Sequence, residues 1–228
     1  MLKFEKVLKR FGLNSFALEE IDLQINDGEF IFITGPSGAG KTTILRLLLG
    51  DLKVDSGLIT VDKWNLAKIK SSELPSLRKY IGIVFQDFRL LTDRTVFENV
   101  ALALELRGLK PIEIEKKVKE VLELTSLTDK AHLFPIQLAG GEMQRACLAR
   151  AIVGEPKLLL ADEPTGSLDP KTAREILFLL LKINEMGTTV IMATHNAELV
   201  NSCKKRVISL NKGKIVKDQN EGKYEEII

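Results

Sequence analysis

Four short runs of the chain are apolar without alternation: Phe30 to Thr34, Ile81 to Phe85, Leu158 to Ala161 and Thr189 to Ala193. A strand covered on both faces loses the polar positions of a solvent side, so these runs predict buried, parallel strands. Helical patterns fall between them. Ile44 to Leu49 follows the first run, and Thr172 to Met186 carries Ile176, Leu177, Leu180 and Leu181 before stopping at Gly187. Strands alternating with helices predict an α/β fold with a mostly parallel sheet.

Two departures modify that outline. Leu18 to Ile25 mixes apolar and polar positions ahead of the turn-forming Asn26-Asp27-Gly28, and Gly57 to Asp62 reads as another short strand. Together they predict an N-terminal antiparallel β layer. From Gln86 to about Arg150 the strand pattern vanishes, and Pro111 opens a helix with Ile114, Val118, Val121 and Leu122 on one face. Residues of about 87–150 are therefore expected to form a helical subdomain inserted into the α/β core of a single domain spanning 1–228. Residues 206–217 return to short strands, and the charged tail beyond is expected to fray.

Composition narrows the partners. Hydrophobic residues at 45% and charged residues at 28% exclude a disordered or collagen-like chain. With 33 Lys and Arg against 31 Asp and Glu there is no concentrated basic face, so no direct nucleic-acid partner is expected. Lys204-Lys205-Arg206 reads as a solvated patch. Cys147 and Cys203 stand in no metal-ligand spacing, which suggests a reducing compartment. The opening Met1-Leu2-Lys3-Phe4-Glu5-Lys6 is charged rather than signal-like, and no apolar stretch approaches the roughly 20 residues of a membrane helix. The expectation is a cytoplasmic protein.

Candidate chemistry gathers where the buried strands end. Gly35-Pro36-Ser37-Gly38-Ala39-Gly40-Lys41-Thr42 matches G-x-x-x-x-G-K-[ST] in full, after an apolar strand and before a helix. Glycines let backbone N–H groups turn toward phosphates, and the helix N-terminus adds partial positive charge. Lys41 is expected to reach the β- and γ-phosphates of ATP and Thr42 to place its hydroxyl on Mg²⁺, with Thr43 a further phosphate contact. Leu158-Leu159-Leu160-Ala161-Asp162-Glu163 is an apolar strand ending in two acids. Asp162 fits the Mg²⁺ shell and Glu163 a general base for a water attacking the γ-phosphate. His195, after the fourth apolar run, is a candidate contact to the γ-phosphate or that water. His132 has no such placement.

Taken in order, these residues resemble the ATPase subunits of ABC transporters along essentially the whole chain. Leu138-Ala139-Gly140-Gly141-Glu142 resembles the family signature at a helix start, Gln86 the glutamine that contacts Mg²⁺ and senses the membrane partner, Ser167-Leu168-Asp169 the D-loop and His195 the switch histidine. Phe11 stands where the family sets an aromatic ring against adenine. The resemblance implies a P-loop NTPase core of the ABC type, ATP hydrolysis, and a homodimer that buries two ATP at its interface, each held by the cradle of one subunit and the signature of the other. It also implies peripheral attachment to the cytoplasmic side of the inner membrane through an integral membrane subunit. Ala139 departs from the usual Ser, which removes a hydroxyl donor to the γ-phosphate across the interface. The stretch Phe85 to Val100, with Asp93-Arg94-Thr95-Val96, and Phe134-Pro135-Ile136-Gln137-Leu138 look closest to the cell-division branch of the family. Its members pair with an FtsX-like membrane protein and control cell-wall hydrolases. Lipoprotein-releasing and macrolide-efflux ATPases share most of the motifs. Soluble ABC proteins of DNA repair or translation carry insertions or second domains that do not fit the length. A P-loop kinase gives no reason for Gly140-Gly141 or Gln86.

Overall fold

In the computed structural model, which describes residues 1–12 and 16–224, the strands are β1 (Leu2–Arg10), β2 (Phe16–Ile25), β3 (Phe30–Thr34), β4 (Ser56–Val61), β5 (Trp64–Asn65), β6 (Ile81–Val84), β7 (Leu158–Asp162), β8 (Thr189–Ala193), β9 (Arg206–Asn211) and β10 (Lys214–Gln219). The helices are α1 (Lys41–Leu48), α2 (Leu74–Tyr80), α3 (Val96–Glu105), α4 (Pro111–Leu124), α5 (Gly140–Ile152), α6 (Pro170–Glu185) and α7 (Ala197–Ser202). The four unalternating runs become neighbours in one sheet of order β10-β9-β3-β8-β7-β6. All its pairs are parallel except the β9–β10 hairpin.

Burial on both faces explains the missing alternation. Ile31, Ile33, Leu158, Leu160 and Ile191 point into a core shared with α1. Phe30, Phe32, Leu159, Ala161, Val190 and Met192 point the opposite way, into a core with α5, α6 and α7. Neighbouring residues of one strand thus serve different cores, as a period of two requires. The second sheet, β2-β1-β4-β5, is antiparallel throughout. It lays Leu2, Phe4, Leu18, Ile21 and Ile59 over the first core while Lys3 stays in solvent.

Between β6 and β7 the chain forms α3, α4, α5 and two short 3₁₀ turns, with no strand among the described residues. Val96, Val100, Leu104, Ile114, Val118 and Leu122 make a third core there. Val121, on the same predicted face, is half-buried against it. Thr95 starts α3 with a reciprocal cap: its hydroxyl accepts from the Glu98 N–H at 3.3 Å and its N–H donates to the Glu98 carboxylate at 2.7 Å. Helix α5 belongs to two cores. Ala146, Ala149 and Val153 face α3 and α4, whereas Cys147, Leu148 and Ile152 face the large sheet. The charged tail expected to fray is held as far as Tyr224. Asp218 pairs with Arg206 at 2.7 Å, and the N–H groups of Gly222 and Tyr224 donate to the Lys205 carbonyl at 3.1 Å and Asn201 at 2.8 Å. Residues 225–228 lie outside the described residues.

Candidate functional site

The parallel strands deliver their carboxyl ends to one edge of the sheet, where open α/β folds place ligands. Strand β3 runs into the loop of Gly35 to Gly40, and two glycines there admit no substitute. Gly35 has φ 140° and a side chain would meet the Leu210 carbonyl at 2.2 Å; Gly40, at φ 109°, would meet the Ala17 carbonyl at 2.6 Å. Gly40 precedes α1, so Lys41 and Thr42 begin that helix. The buried Lys41 ammonium folds back onto the loop, donating to the carbonyls of Gly35 at 2.7 Å and Pro36 at 3.1 Å. A cation held by two carbonyl dipoles and a carboxylate no nearer than 3.9 Å is readily recruited by a closer anionic acceptor.

Strand β7 brings the two acids. The Thr42 hydroxyl donates to the Asp162 carboxylate at 3.1 Å. Glu163 follows with φ 47°, in the left-handed region that non-glycine residues seldom adopt, fixed by its N–H on the Ala193 carbonyl at 2.9 Å. That bond crosses from β7 to β8 and aims the Glu163 side chain at the neighbouring strand end. There His195 Nδ1 lies 2.9 Å from its carboxylate, the His195 N–H lies at 3.3 Å, and the Lys41 ammonium lies at 3.9 Å. Because a carboxylate only accepts, Nδ1 is the donor in this contact.

A cavity of about 720 Å³ opens over this edge, lined by Phe11, Pro36 to Thr43, Gln86, Glu163 and His195. Gly35 and Asp162 are outside its lining and are joined to it by their bonds to Lys41 and Thr42. Sequence reasoning missed Ala17 of β2, which also lines the cavity and carries no chemical signal of its own. It also missed Arg89, whose positive charge reaches Asp162.

The remaining candidates lie elsewhere. Ala139, Gly140, Gly141 and Glu142 start α5 and do not line the cavity. The Glu142 carboxylate accepts the Ala139 N–H at 2.9 Å, and that bond holds its pKa below the ordinary carboxylate range. Ala139 has no oxygen to return the bond, so α5 carries half of a capping box. Asp169 caps α6, accepting from the N–H groups of Lys171 at 3.0 Å and Thr172 at 3.1 Å.

The charge balance of the edge fits a divalent cation. Burial lifts the Asp162 carboxyl above its ordinary value and the neighbouring Glu163 adds to the rise, offset in part by Thr42, Lys41 and Arg89. Positive charge is short beside a hydroxyl and a carboxylate, the oxygen donors that suit Mg²⁺. Among the described residues no group of three His, Cys, Asp or Glu side chains forms a metal cage. A divalent cation here would need further oxygens, from Gln86 at the cavity wall, from phosphate and from water.

Strand, glycine loop, helix and paired acids at a parallel sheet edge define a P-loop ATPase. The signature of the ABC transporter family matches residues 18–166. The cell division ATP-binding protein FtsE of Bacillus subtilis is 49% identical over 224 residues, covering 98% of each chain, and FtsE of Mycobacterium tuberculosis is 47% identical over 225 residues, again 98% of each. A solved dimeric bacterial ABC transporter cassette superposes with a TM-score of 0.89 at 35% identity, over 98% of this chain and 100% of that one. The same cassette, solved in a post-hydrolysis state bound to ADP and Pi, gives 0.88 at 34% over 98% and 100%. The chain belongs to the ABC transporter family and is an ATP-binding ATPase. No described helix is long and apolar enough to cross a membrane.

Proposed function

We propose that the chain is the ATP-hydrolysing subunit of a membrane ABC complex in bacterial cell division. It pairs with an FtsX-like integral membrane protein on the cytoplasmic face of the inner membrane and controls cell-wall hydrolases beyond it. The carrying observation is the convergence of Lys41, Asp162, Glu163 and His195 from separate elements onto one sheet edge. Identity of 46–49% to FtsE proteins over nearly the whole chain supports the cell-division role.

In this reading Gly35 to Thr43 wrap the phosphates and Phe11, half exposed beside the cradle, stacks on adenine. Lys41 exchanges its two carbonyl acceptors for phosphate oxygens. Thr42, Asp162 and Gln86 would hold Mg²⁺, which would supply neutralisation of the phosphate charge. Glu163 accepts a proton from the attacking water, and His195 keeps the carboxylate in place through Nδ1. Two subunits pair, so that Ala139, Gly140, Gly141 and Glu142 of one face the nucleotide of the other, with Asp169 on the same interface. The whole chain works as one ABC ATPase domain, its helical part at about 87–150.

The test is recovery of a membrane complex. Tagged Glu163→Gln protein solubilised from membranes with Mg²⁺ and ATP is expected to retain an integral partner with a large outer loop, and depletion of the chain to produce undivided cells. Depleted cells that divide normally would exclude the division role.

A further inference from the structure

Gln86 stands on a loop whose shape is imposed from outside it. Just after β6, Phe88 and Arg89 take φ values of 57° and 52° in succession. Residues bearing side chains seldom enter this region, and such a bend persists only where surrounding structure holds it. The holder is α5. Arg150 Nη1 donates to the Arg89 carbonyl at 2.6 Å and Nη2 to the Phe88 carbonyl at 3.1 Å. Cys147, on the same helix, donates its Sγ–H to the Phe88 carbonyl at 2.9 Å. Burial pushes that thiol up to about 12, so it remains a donor at any physiological pH.

The other end of the loop is anchored separately. Asn99 of α3, fully buried, donates to the carbonyls of Leu91 at 3.0 Å, Arg94 at 3.1 Å and Thr95 at 2.9 Å, and accepts the Leu91 N–H at 2.8 Å. Within the loop the Arg89 guanidinium lies 3.8 Å from the Phe85 ring centroid and bonds Asp87 at 2.9 Å. Gln86, exposed like Asp87 and Arg89, is the one of the three that lines the cavity, between a strand end and a clamped bend.

The geometry points to Arg150 as a positioning residue for Gln86: its forked guanidinium clamps the two left-handed carbonyls, so the orientation of α5 sets where Gln86 stands over the cavity. A fork is required because two carbonyls on successive residues must be held at once. A lysine ammonium supplies donors from a single point and holds the pair poorly. The same helix begins at Gly140-Gly141, so the clamp joins the two ends of α5 to different sites through one rigid element. The consequence for turnover rests on the ATPase reading above; the clamp itself does not.

The test has two arms. Hydrogen exchange in the nucleotide-free protein is expected to speed up at least about tenfold in peptides covering 86–92 of Arg150→Met, with β7 and β8 unchanged. Arg150→Lys should fall between Arg150→Met and the unsubstituted protein, and Cys147→Ala should give a smaller change confined to the same peptides. In turnover, Arg150→Met is expected to lower kcat roughly 10- to 100-fold with KM little altered, as misplacement of a site residue does. Added to Gln86→Ala, it should cost less than about threefold more, because the residue it positions is already gone. Unchanged exchange at 86–92 overturns the clamp whatever the kinetics show. Full multiplication of the two kcat losses overturns the positioning role, since a general loss of structure would multiply. If Gln86→Ala turns over normally, Gln86 leaves the proposed site, while the exchange arm still decides the clamp. Should Arg150→Met fail to fold, Arg150→Lys carries both readouts.

Discussion

Two helices of this protein begin at glycines, and they are finished to different degrees. Helix α1 starts at Gly40 inside a closed constellation: Lys41 behind it, Asp162 on the Thr42 hydroxyl, Glu163 and His195 opposite. Helix α5 starts at Gly140-Gly141 with an exposed Ala139 before it, and its N-cap N–H is taken by its own Glu142. Both ends offer backbone N–H groups and partial positive charge to an anion. Only the first has a lysine, two acids and a histidine gathered around it. In the proposed reading, one subunit thus contains a full hydrolytic cradle and one anion-binding half that has no chemistry of its own. That division is what a two-fold pair with shared nucleotide requires.

The sharpest break of the comparison is at the cradle. Glu163→Gln should leave ATP affinity near that of the unsubstituted protein and lower kcat by roughly 10²- to 10⁴-fold, the range for loss of a general base. Phosphate release in single-turnover assays checks it, and a loss in affinity instead of kcat would move the base elsewhere. Lys41→Ala should weaken ATP binding at least about tenfold, because a charge-assisted hydrogen bond contributes roughly 1.5–3 kcal/mol and this ammonium offers more than one. Titration with a fluorescent nucleotide reads that change, and affinity equal to the unsubstituted chain would detach the Lys from the phosphates. The corresponding substitutions around α5 should leave single-subunit ATP binding intact.

The contrast also marks how far the residues could be read without coordinates. The buried strands were legible because Phe30 to Thr34 and Thr189 to Ala193 are apolar at every position but one terminal threonine each, and the structure keeps those bounds. The cradle was legible because its glycines answer to local sterics, as at Gly35 and Gly40. Strand β1 and helices α2 and α7 were not separately legible. Helix α7, six residues long, is capped by Asn196 and packed on α6, so tertiary contact makes it. The left-handed turn at Glu163 and its bond to His195 had no sequence signal either. The two residues are 32 apart and meet only through the parallel pairing of β7 with β8. Arg150 reads as one more basic helix residue until the loop beneath it is seen.

A weaker perturbation sharpens the α5 side. Ala139→Ser supplies the missing half of the capping box, worth about 0.5–2 kcal/mol to the helix, and one hydroxyl toward the partner's phosphate. In the Glu163→Gln background, ATP-dependent dimerisation followed by sedimentation should tighten by about tenfold, the effect of one charge-assisted bond at the low end of its range. A rise in Tm with no change in dimerisation would confine the gain from the added hydroxyl to the cap and remove Ala139 from the interface.

The smallest effect is on stability and runs against function. Burial and the Glu163 charge raise the Asp162 carboxyl above its ordinary 3.8, so the folded chain keeps that proton to higher pH than the unfolded chain does. Between the ordinary and the raised value, unfolding releases the proton, and stability falls as pH rises. Above the raised value the cost of holding the charge is complete, and neutral protein carries all of it. Asp162→Asn never charges and still accepts the Thr42 hydroxyl. Its Tm without nucleotide should therefore exceed that of the unsubstituted chain at pH 7, with the gap closing toward pH 4. Mg²⁺ and ATP should reverse the ranking, since ligand that binds only the folded state stabilises in proportion to the logarithm of its concentration over Kd, and the variant holds it less well. A gap that widens on acidification would show that the carboxylate is stabilised rather than strained at this edge, and that a cation is not what the cradle is waiting for.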